Sequence, residues 1–454
     1  MIKKQYIQFL ATCLILLLGA TVNVSLVLAA PLLADREVLP NGLVLLHSEK
    51  TALPIVKITL ALGAGQTVEP AEKAGLSHLT AGLLKEGTKN RTSKEISEEI
   101  EFVGGSLGTS GGGEFSTITL SILKKDLELG FELLSDILIN PTFPEQEFKR
   151  KKNLIKGYIK RQKEDPGDIA SKAFDKELFG SHPFAWPSEG TEETLDNITR
   201  KDVVEFYRRF YVPGNAWMAV VGDVGKREIK SLINKYLKNW VVGTVQPPPV
   251  SNPPEPVKPK LIAIDKQITQ ANIILGHLGI KRKAPDYYAT LVMNYILGGG
   301  GFASRLMDNI RDNQGLAYSV YSSFIPGRNT GSFQVNLQTK NESAATAIKE
   351  IIKEMERIRT EPVSDRELED AKAYITGSFP LRMDSNSKIA GLLVSVEYYG
   401  LGMNYVQDYL KAVESVTKED VLKSARDHLH PDKYILVVVA DQEKAKIKKS
   451  INKP

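Results

Sequence analysis

One cysteine in 454 residues is the first constraint on this chain. That residue, Cys13, falls in an apolar N-terminal segment. The remainder can therefore form neither a disulfide nor a thiolate metal site. Dense Lys/Arg blocks with interleaved aromatics are also missing, and the net charge of +5 is spread over the whole length. That argues against nucleic acid as a partner. No Ser/His/Asp or Cys grouping suggests nucleophilic hydrolysis. At 42% hydrophobic and 25% charged residues, the composition rules out disorder across most of the chain. A chain of 454 residues exceeds one ordinary core, so two or more domains are expected.

The N-terminus carries Lys3 and Lys4, then an apolar run from Tyr6 to Leu28 that ends in V-L-A-A-P. Val27 and Ala29 satisfy the small-residue rule for signal peptidase, which predicts a signal over residues 1–29 and an exported protein, with the periplasm as the expected compartment. Thr21, Asn23 and Ser25 interrupt the run and favour a cleaved signal. The alternative is an uncleaved anchor in the inner membrane, the one route to membrane contact that the sequence offers. Cys13 does not suit lipid attachment, because Thr12 precedes it and most of the apolar run follows it.

Residues Val245 to Lys260 hold seven prolines. Such a stretch forbids helix and sheet interior and predicts an extended, semi-rigid linker over 244–260. It separates a domain at 35–243 from one at 261–447. The two are related. Ile198–Asp223 lies on Val416–Asp441 without a gap, anchored by Thr199/Thr417, Asp202/Asp420, Pro213/Pro431 and Asp223/Asp441. Both segments read as capped helix, proline turn and buried strand, so the domain is duplicated.

In the first half, strands are predicted at Gly42–Ser48, Ile55–Leu62 and Ser116–Leu123. Helices are predicted at Gly75–Leu84, Ser93–Val103, Leu127–Leu138 and Pro144–Lys163. In the second half, strands are predicted at Gln270–His277, Ala317–Phe324 and Gly331–Gln338, and helices at Asp286–Ile296 and Ser304–Asp312, with long helices after them. The fold class is α+β: two homologous domains, each a largely antiparallel sheet with helices packed on one face.

The segment Gly75–Thr92 reads G-L-S-H-L-T-A-G-L-L-K-E-G-T-K-N-R-T. An inverted zincin helix carries H-x-x-E-H, in which two histidines four apart bind zinc and the glutamate activates water. In the frame that starts at His78, the glutamate position is Ala81 and the second histidine position is Gly82. Ala81 offers no proton acceptor and Gly82 no donor atom. Either the helix is unrelated to such enzymes, or it belongs to a protease fold that has lost its own hydrolytic site. One imidazole does not hold zinc against water, so His78 is read as a satisfied core or cleft histidine. Glu86, at the helix end, is read as a solvated charge.

Several segments in order then carry a family resemblance. They are L-P-N-G-L (Leu39–Leu43), G-L-S-H-L (Gly75–Leu79), G-T-K-N-R-T (Gly87–Thr92), V-P-G-N (Val212–Asn215) and V-V-G-D (Val220–Asp223). The most specific is N-Y-I-L-G-G-G-G-F-A-S-R-L (Asn294–Leu306), continuing into I-R-D-N-Q-G-L-A-Y (Ile310–Tyr318). Together they resemble the pitrilysin/insulinase family of inverted-zincin metallopeptidases, in the short two-domain branch that includes mitochondrial processing peptidase. The resemblance implies a third zinc ligand, a glutamate, on a later helix. Counting back from Pro166 places it near Tyr158, and neither Gly157 nor Ile159 is a glutamate.

The second half departs less from the family. The resemblance implies that Arg311 and Tyr318, seven residues apart, grip a substrate carbonyl and stabilise an oxyanion; both are donors suited to developing negative charge. Gly298, Gly299, Gly300 and Gly301 lack the lysine and the strand-first context of a phosphate loop. The resemblance makes them a flexible loop that handles substrate near a chamber entrance; a plain hinge is the alternative. Gly104–Gly113 is read as a glycine excess that loosens the edge near strand Ser116–Leu123, with no site assigned. The expectation is a chain that binds no metal or other cofactor itself. It would be one subunit of an exported heterodimeric peptidase whose H-x-x-E-H partner binds the zinc, with peptides or unfolded segments as substrate. The alternative is an inactive peptide-binding or structural homodimer.

Overall fold

The two halves carry the same strand order. The first half contains β1 (Asp35–Val38), β2 (Val44–Glu49), β3 (Ile55–Leu62), β4 (Ser106–Gly111), β5 (Ser116–Leu123) and β6 (Ala216–Gly222), arranged β1-β2-β6-β3-β5-β4. The second contains β7 (Lys260–Asp265), β8 (Gln270–Leu278), β9 (Ala317–Pro326), β10 (Gly331–Lys340) and β11 (Ile435–Ala440), arranged β7-β11-β8-β10-β9. Without β1 the patterns coincide. In each, the first and last strands pair in parallel and every other pairing is antiparallel. The computed structural model describes residues 33–246, 248, 250 and 252–447. The N-terminal segment read as a signal, with Cys13, lies outside them.

The helices of the first half are α1 (Leu76–Leu83), α2 (Ser93–Phe102), α3 (Leu127–Ile139), α4 (Glu145–Gln162), α5 (Pro166–Phe179), α6 (Glu192–Asn197), α7 (Arg200–Phe210) and α8 (Lys226–Tyr236). Those of the second are α9 (Tyr287–Asn294), α10 (Ala344–Thr360), α11 (Asp365–Ser378), α12 (Asn386–Tyr399), α13 (Tyr405–Glu414), α14 (Lys418–His428) and α15 (Gln442–Ala445). The repeat seen in the sequence is α7–β6 and α14–β11. Thr199 and Thr417 cap the two helices, each in a reciprocal box with Asp202 or Asp420.

Each half packs most of its own helices on one face of its sheet, with separate cores centred on Leu60 and Phe131 and on Phe333 and Tyr409. The other face is covered by exchange. Helix α12 of the second half lies on β6 and β3, burying Ile389, Leu393 and Val394 against Leu46, Trp217 and Val221. Helix α5 of the first half lies on β11 and β8, burying Ala170, Phe174 and Leu178 against Ile274, Val437 and Val439. This explains why β6 and β11 are unbroken apolar runs, buried along their full length: both faces of each are covered. Strand β5, with one buried face, alternates strictly. Polar links reinforce the exchange. The Trp217 indole N–H donates to the Val394 carbonyl at 3.1 Å, and Arg36 forks both Glu397 oxygens at 2.8 and 2.7 Å.

Strands β3 and β5 have the bounds predicted from the sequence. The edge of the first sheet differs from expectation. The glycine-rich segment is itself the edge strand β4, and Ser116–Leu123 lies inside the sheet between β3 and β4. Glycine hid the alternation there while permitting a close approach, since a Cβ on Gly111 would lie 2.5 Å from the His78 Cα. The helices expected at Asp286–Ile296 and Ser304–Asp312 are both widened: π-helical turns span Tyr295–Gly299 and Met307–Asn313.

Candidate functional site

Helix α1 starts at Gly75, whose φ of +98° only glycine adopts without strain. It packs on β4 and on α4. His78 is partly buried, and its Nδ1 is buried with no hydrogen-bond partner among the described residues, so the ring is a cleft histidine that is not fully satisfied. Burial holds the imidazole below its ordinary pKa. The nearby Lys151 ammonium acts in the same direction, against the Gly111 backbone and the Glu189 carboxylate.

Lys151 is the residue that defines this place. A Cβ on Gly82 would meet its Cε at 2.9 Å and its Nζ at 3.6 Å. The same ammonium pairs with Glu86 Oε1 at 3.0 Å, while Arg150 holds Glu86 Oε2 at 2.6 Å. The reading of Glu86 as a solvated charge is thereby corrected: it is 6% exposed and doubly paired. Helix α4 buries the stripe Phe148, Ile155 and Ile159. Lys151 lies on that stripe, three residues after Phe148 and four before Ile155, and this phase was the available signal for it. Tyr158, where the third ligand was sought, is 47% exposed, with Arg161 over its ring at 5.8 Å.

These residues do not make a zinc site. One imidazole is present, Ala81 and Gly82 bring no ligand, and the adjacent carboxylate is already engaged by two cations. A dication placed beside the Lys151 ammonium would be repelled. No group of three His, Cys, Asp or Glu suited to a metal is present among the described residues. We therefore expect that restoring the motif with A81E and G82H alone leaves the chain with substoichiometric zinc by elemental analysis. A stoichiometric ion in that variant would show that Lys151 yields its place.

The second half brings Arg311 and Tyr318 together. Ile310 is fully buried and anchors the wide turn that carries Arg311. Tyr318 opens the edge strand β9 and is 85% exposed. The Arg311 guanidinium lies 5.6 Å from the Tyr318 ring centroid and 4.8 Å from that of Phe302. Its Nη1 bonds Asp312 at 2.8 Å. Phe302, itself largely exposed, is a second aromatic ring beside the guanidinium that motif spacing did not suggest. No hydrogen bond, ion pair or ring contact links His78 to Arg311 or Tyr318 among the described residues. The chain therefore holds an exposed tyrosine beside a partly buried arginine and, elsewhere, a helix on which His78 alone keeps a metal-ligating side chain at the zincin positions.

The four glycines are ordered differently from a free loop. Gly298 and Gly299 belong to the first wide turn, where a Cβ on Gly298 would lie 2.5 Å from Ser322 Oγ. Gly300 donates to the Tyr295 carbonyl at 2.8 Å, and Gly301, at φ +58°, turns the chain toward Phe302. Arg305 then fixes the segment: largely buried, it donates to both Glu367 oxygens at 2.6 and 3.1 Å. Burial alone would raise the Glu367 carboxyl, but the Arg305 guanidinium and the Ser364 N–H outweigh it and pull it down to about 2. A lowered folded-state value stabilises the fold above the ordinary carboxylate range and is lost as pH falls from about 4.5 toward 2. We expect this pair to contribute about 1–3 kcal/mol at neutral pH. Comparing urea midpoints at pH 7 and pH 3 tests this: the acid-dependent loss should be smaller in Glu367→Gln than in the parent.

A two-sheet duplicated fold, with a zincin-like helix in one half and an arginine–tyrosine pair in the other, defines a metallopeptidase-like protein. Family models agree: the insulinase (peptidase family M16) model matches residues 44–192, and the peptidase M16 inactive domain model matches residues 197–375. The chain belongs to the M16 peptidase family. Among its relatives, the non-peptidase homolog YmxG of Helicobacter pylori is 27% identical over 97% of this chain and 100% of its own length. The uncharacterized zinc protease YmxG of Bacillus subtilis is 26% identical over 77% of this chain and 85% of its own. Among solved structures, the peptidase M16 inactive domain from Pseudomonas fluorescens matches with a TM-score of 0.84 and 29% identity, covering 90% of this chain and 98% of that one. A Helicobacter pylori protease shares the fold, with a TM-score of 0.81 at 21% identity over 89% of this chain and 98% of that one.

Proposed function

We propose that this chain is the non-zinc-binding subunit of an exported, heterodimeric M16 peptidase that acts on peptides or unfolded protein segments. The observation that carries the reading is the contrast between the two halves. Around His78 the metal ligands are replaced and a lysine stands in their place, whereas Arg311 and Tyr318 lie side by side with Tyr318 facing solvent. A chain with a purely architectural role has no use for such a pair. In the complex, a partner carrying H-x-x-E-H would bind zinc and activate water. Arg311 and Tyr318 would donate hydrogen bonds to the substrate carbonyl as negative charge develops on it. Gly298–Gly301 would hold the turn that presents Phe302 and Arg311.

The reading is tested by co-expression with an H-x-x-E-H paralogue. The two chains should purify together, and an unfolded peptide should be cleaved by the pair and by neither chain alone. Failure to associate, or full activity of the partner alone, sinks it. A second reading is favoured by the Helicobacter relative described as a non-peptidase homolog: a homodimer that binds peptides without cutting them. It requires self-association in solution and indifference to the paralogue.

A further inference from the structure

A cavity of about 510 Å³ opens where helix α12 of the second half meets the loop end of the first sheet. The loop between β2 and β3 supplies Lys50 and Leu53, β3 supplies Lys57, β5 supplies Ser121, and Met383 and Ser387 come from the second half. Lys57 stands out by its register. It shares a face of β3 with Thr59 and Ala61, both buried, and it pairs with Val221 of β6, which packs in one cluster with Ile389 of α12. Lys57 thus occupies a position on the apolar face that α12 covers. Neither the Lys57 nor the Lys50 ammonium has a hydrogen bond or ion pair among the described residues. Burial holds the partly buried Lys57 ammonium below the ordinary lysine range, and no carboxylate acts against it. A desolvated ammonium without an acidic partner is costly for a fold to keep.

The one carboxylate on the wall, Asp384, is already taken by Lys388 at 2.7 Å. The start of α12 is capped as well, since Ser385 accepts the Lys388 backbone N–H at 3.3 Å. What the cavity offers is therefore two free ammonium groups, joined by the hydroxyls of Ser121 and Ser387, which have no hydrogen bond among the described residues. Beside them lie the apolar side chains of Leu53, Ile55, Met383 and Ile389. An ammonium is a compact point charge that suits a carboxylate or a phosphate equally, and the apolar wall suits a hydrocarbon stem. We propose that this cavity binds a small amphiphilic anion, a carboxylate or phosphate monoester head on a short apolar stem, with the head at Lys57 and Lys50. Because its walls come from both halves, the bound anion fastens α12 to the first sheet. The site shares no residue with the His78 or Arg311 groups and holds with or without a zinc-bearing partner.

The test is calorimetric titration of the full chain with hexanoate, hexyl phosphate, hexanol and inorganic phosphate. At least one of the two amphiphilic anions should bind about tenfold more tightly than hexanol, because only an anion meets the two ammonium groups, and the tighter of them names the head. Lys57→Met, which keeps an unbranched side chain and removes the charge, should erase that preference with an unchanged circular dichroism spectrum. Lys57→Arg should retain it. Ser387→Glu, which tethers a carboxylate in the cavity and keeps Lys57, should abolish binding of the anions. Saturation with the tighter anion should raise the urea midpoint seen by probes in both halves. Neither anion binding more tightly than hexanol overturns the proposal. So does a preference that survives Lys57→Met. Inorganic phosphate binding as tightly as hexyl phosphate overturns the amphiphile assignment, and a midpoint that does not move overturns the fastening of the two halves.

Discussion

Arg311→Ala, assayed in the complex with an H-x-x-E-H partner, is expected to lower kcat by about 10²–10³-fold, the usual cost of deleting one donor to a developing oxyanion. KM should change little, because the interaction strengthens only as charge builds on the carbonyl oxygen. Tyr318→Phe keeps the ring that flanks the guanidinium and removes only the hydroxyl. It should lower kcat by about 10–10²-fold if the phenol donates, and leave it unchanged if the ring is merely packing. The two readouts separate chemistry from architecture. Phe302→Leu, which removes the nearer of the two rings beside the guanidinium, should leave Arg311 charged but less well held. Steady-state kinetics on the purified pair decides the matter: unchanged kcat in both Arg311→Ala and Tyr318→Phe ends the assignment of these residues.

Phe174→Ala should be the most damaging single change to the fold. The ring is fully buried on helix α5, in the cluster formed with Ile274, Val437 and Val439 of the other half. It sits so close to β8 that a Cβ on Gly276 would lie 2.8 Å from its Cζ. Truncating such a ring costs about 3–5 kcal/mol, and here the void opens between halves. Because each half covers the other's sheet, the loss should lower the urea midpoint seen by probes in both halves together. Tyr158→Ala, at an exposed position, should stay within about 0.5 kcal/mol of the parent. A midpoint shift confined to one half after Phe174→Ala would mean that the exchanged helix adds little to the other core.

What the sequence disclosed, and what it withheld, follows from the range of the signals. Alternation is plain in β5, whose buried face falls on every second residue, whereas β3 is buried without a break from Ile58 to Leu62. The duplication was readable because Thr199/Asp202 and Thr417/Asp420 are local caps, followed by proline turns and strands. The exchange of α5 and α12 was not readable: an apolar stripe such as Ala170, Phe174 and Leu178 says that a helix is buried but not on which sheet. Glycine masked β4. The family resemblance carried the pairing of Arg311 and Tyr318, while Phe302, following four glycines, gave no pattern to join them. Glu86 was misjudged because its two partners come from α4, more than sixty positions along the chain; helix phase would have flagged Lys151, but not its target.

That lysine has a consequence for how the protein meets its surroundings. A metal is a loan from the environment, withdrawn by chelators, by scarcity or by acid. The Lys151 ammonium is translated with the chain and stays tethered to α4 through every cycle of unfolding. The contact that Lys151 makes with Gly82 and Glu86 therefore forms from the chain's own groups, with no metal ion needed to close it.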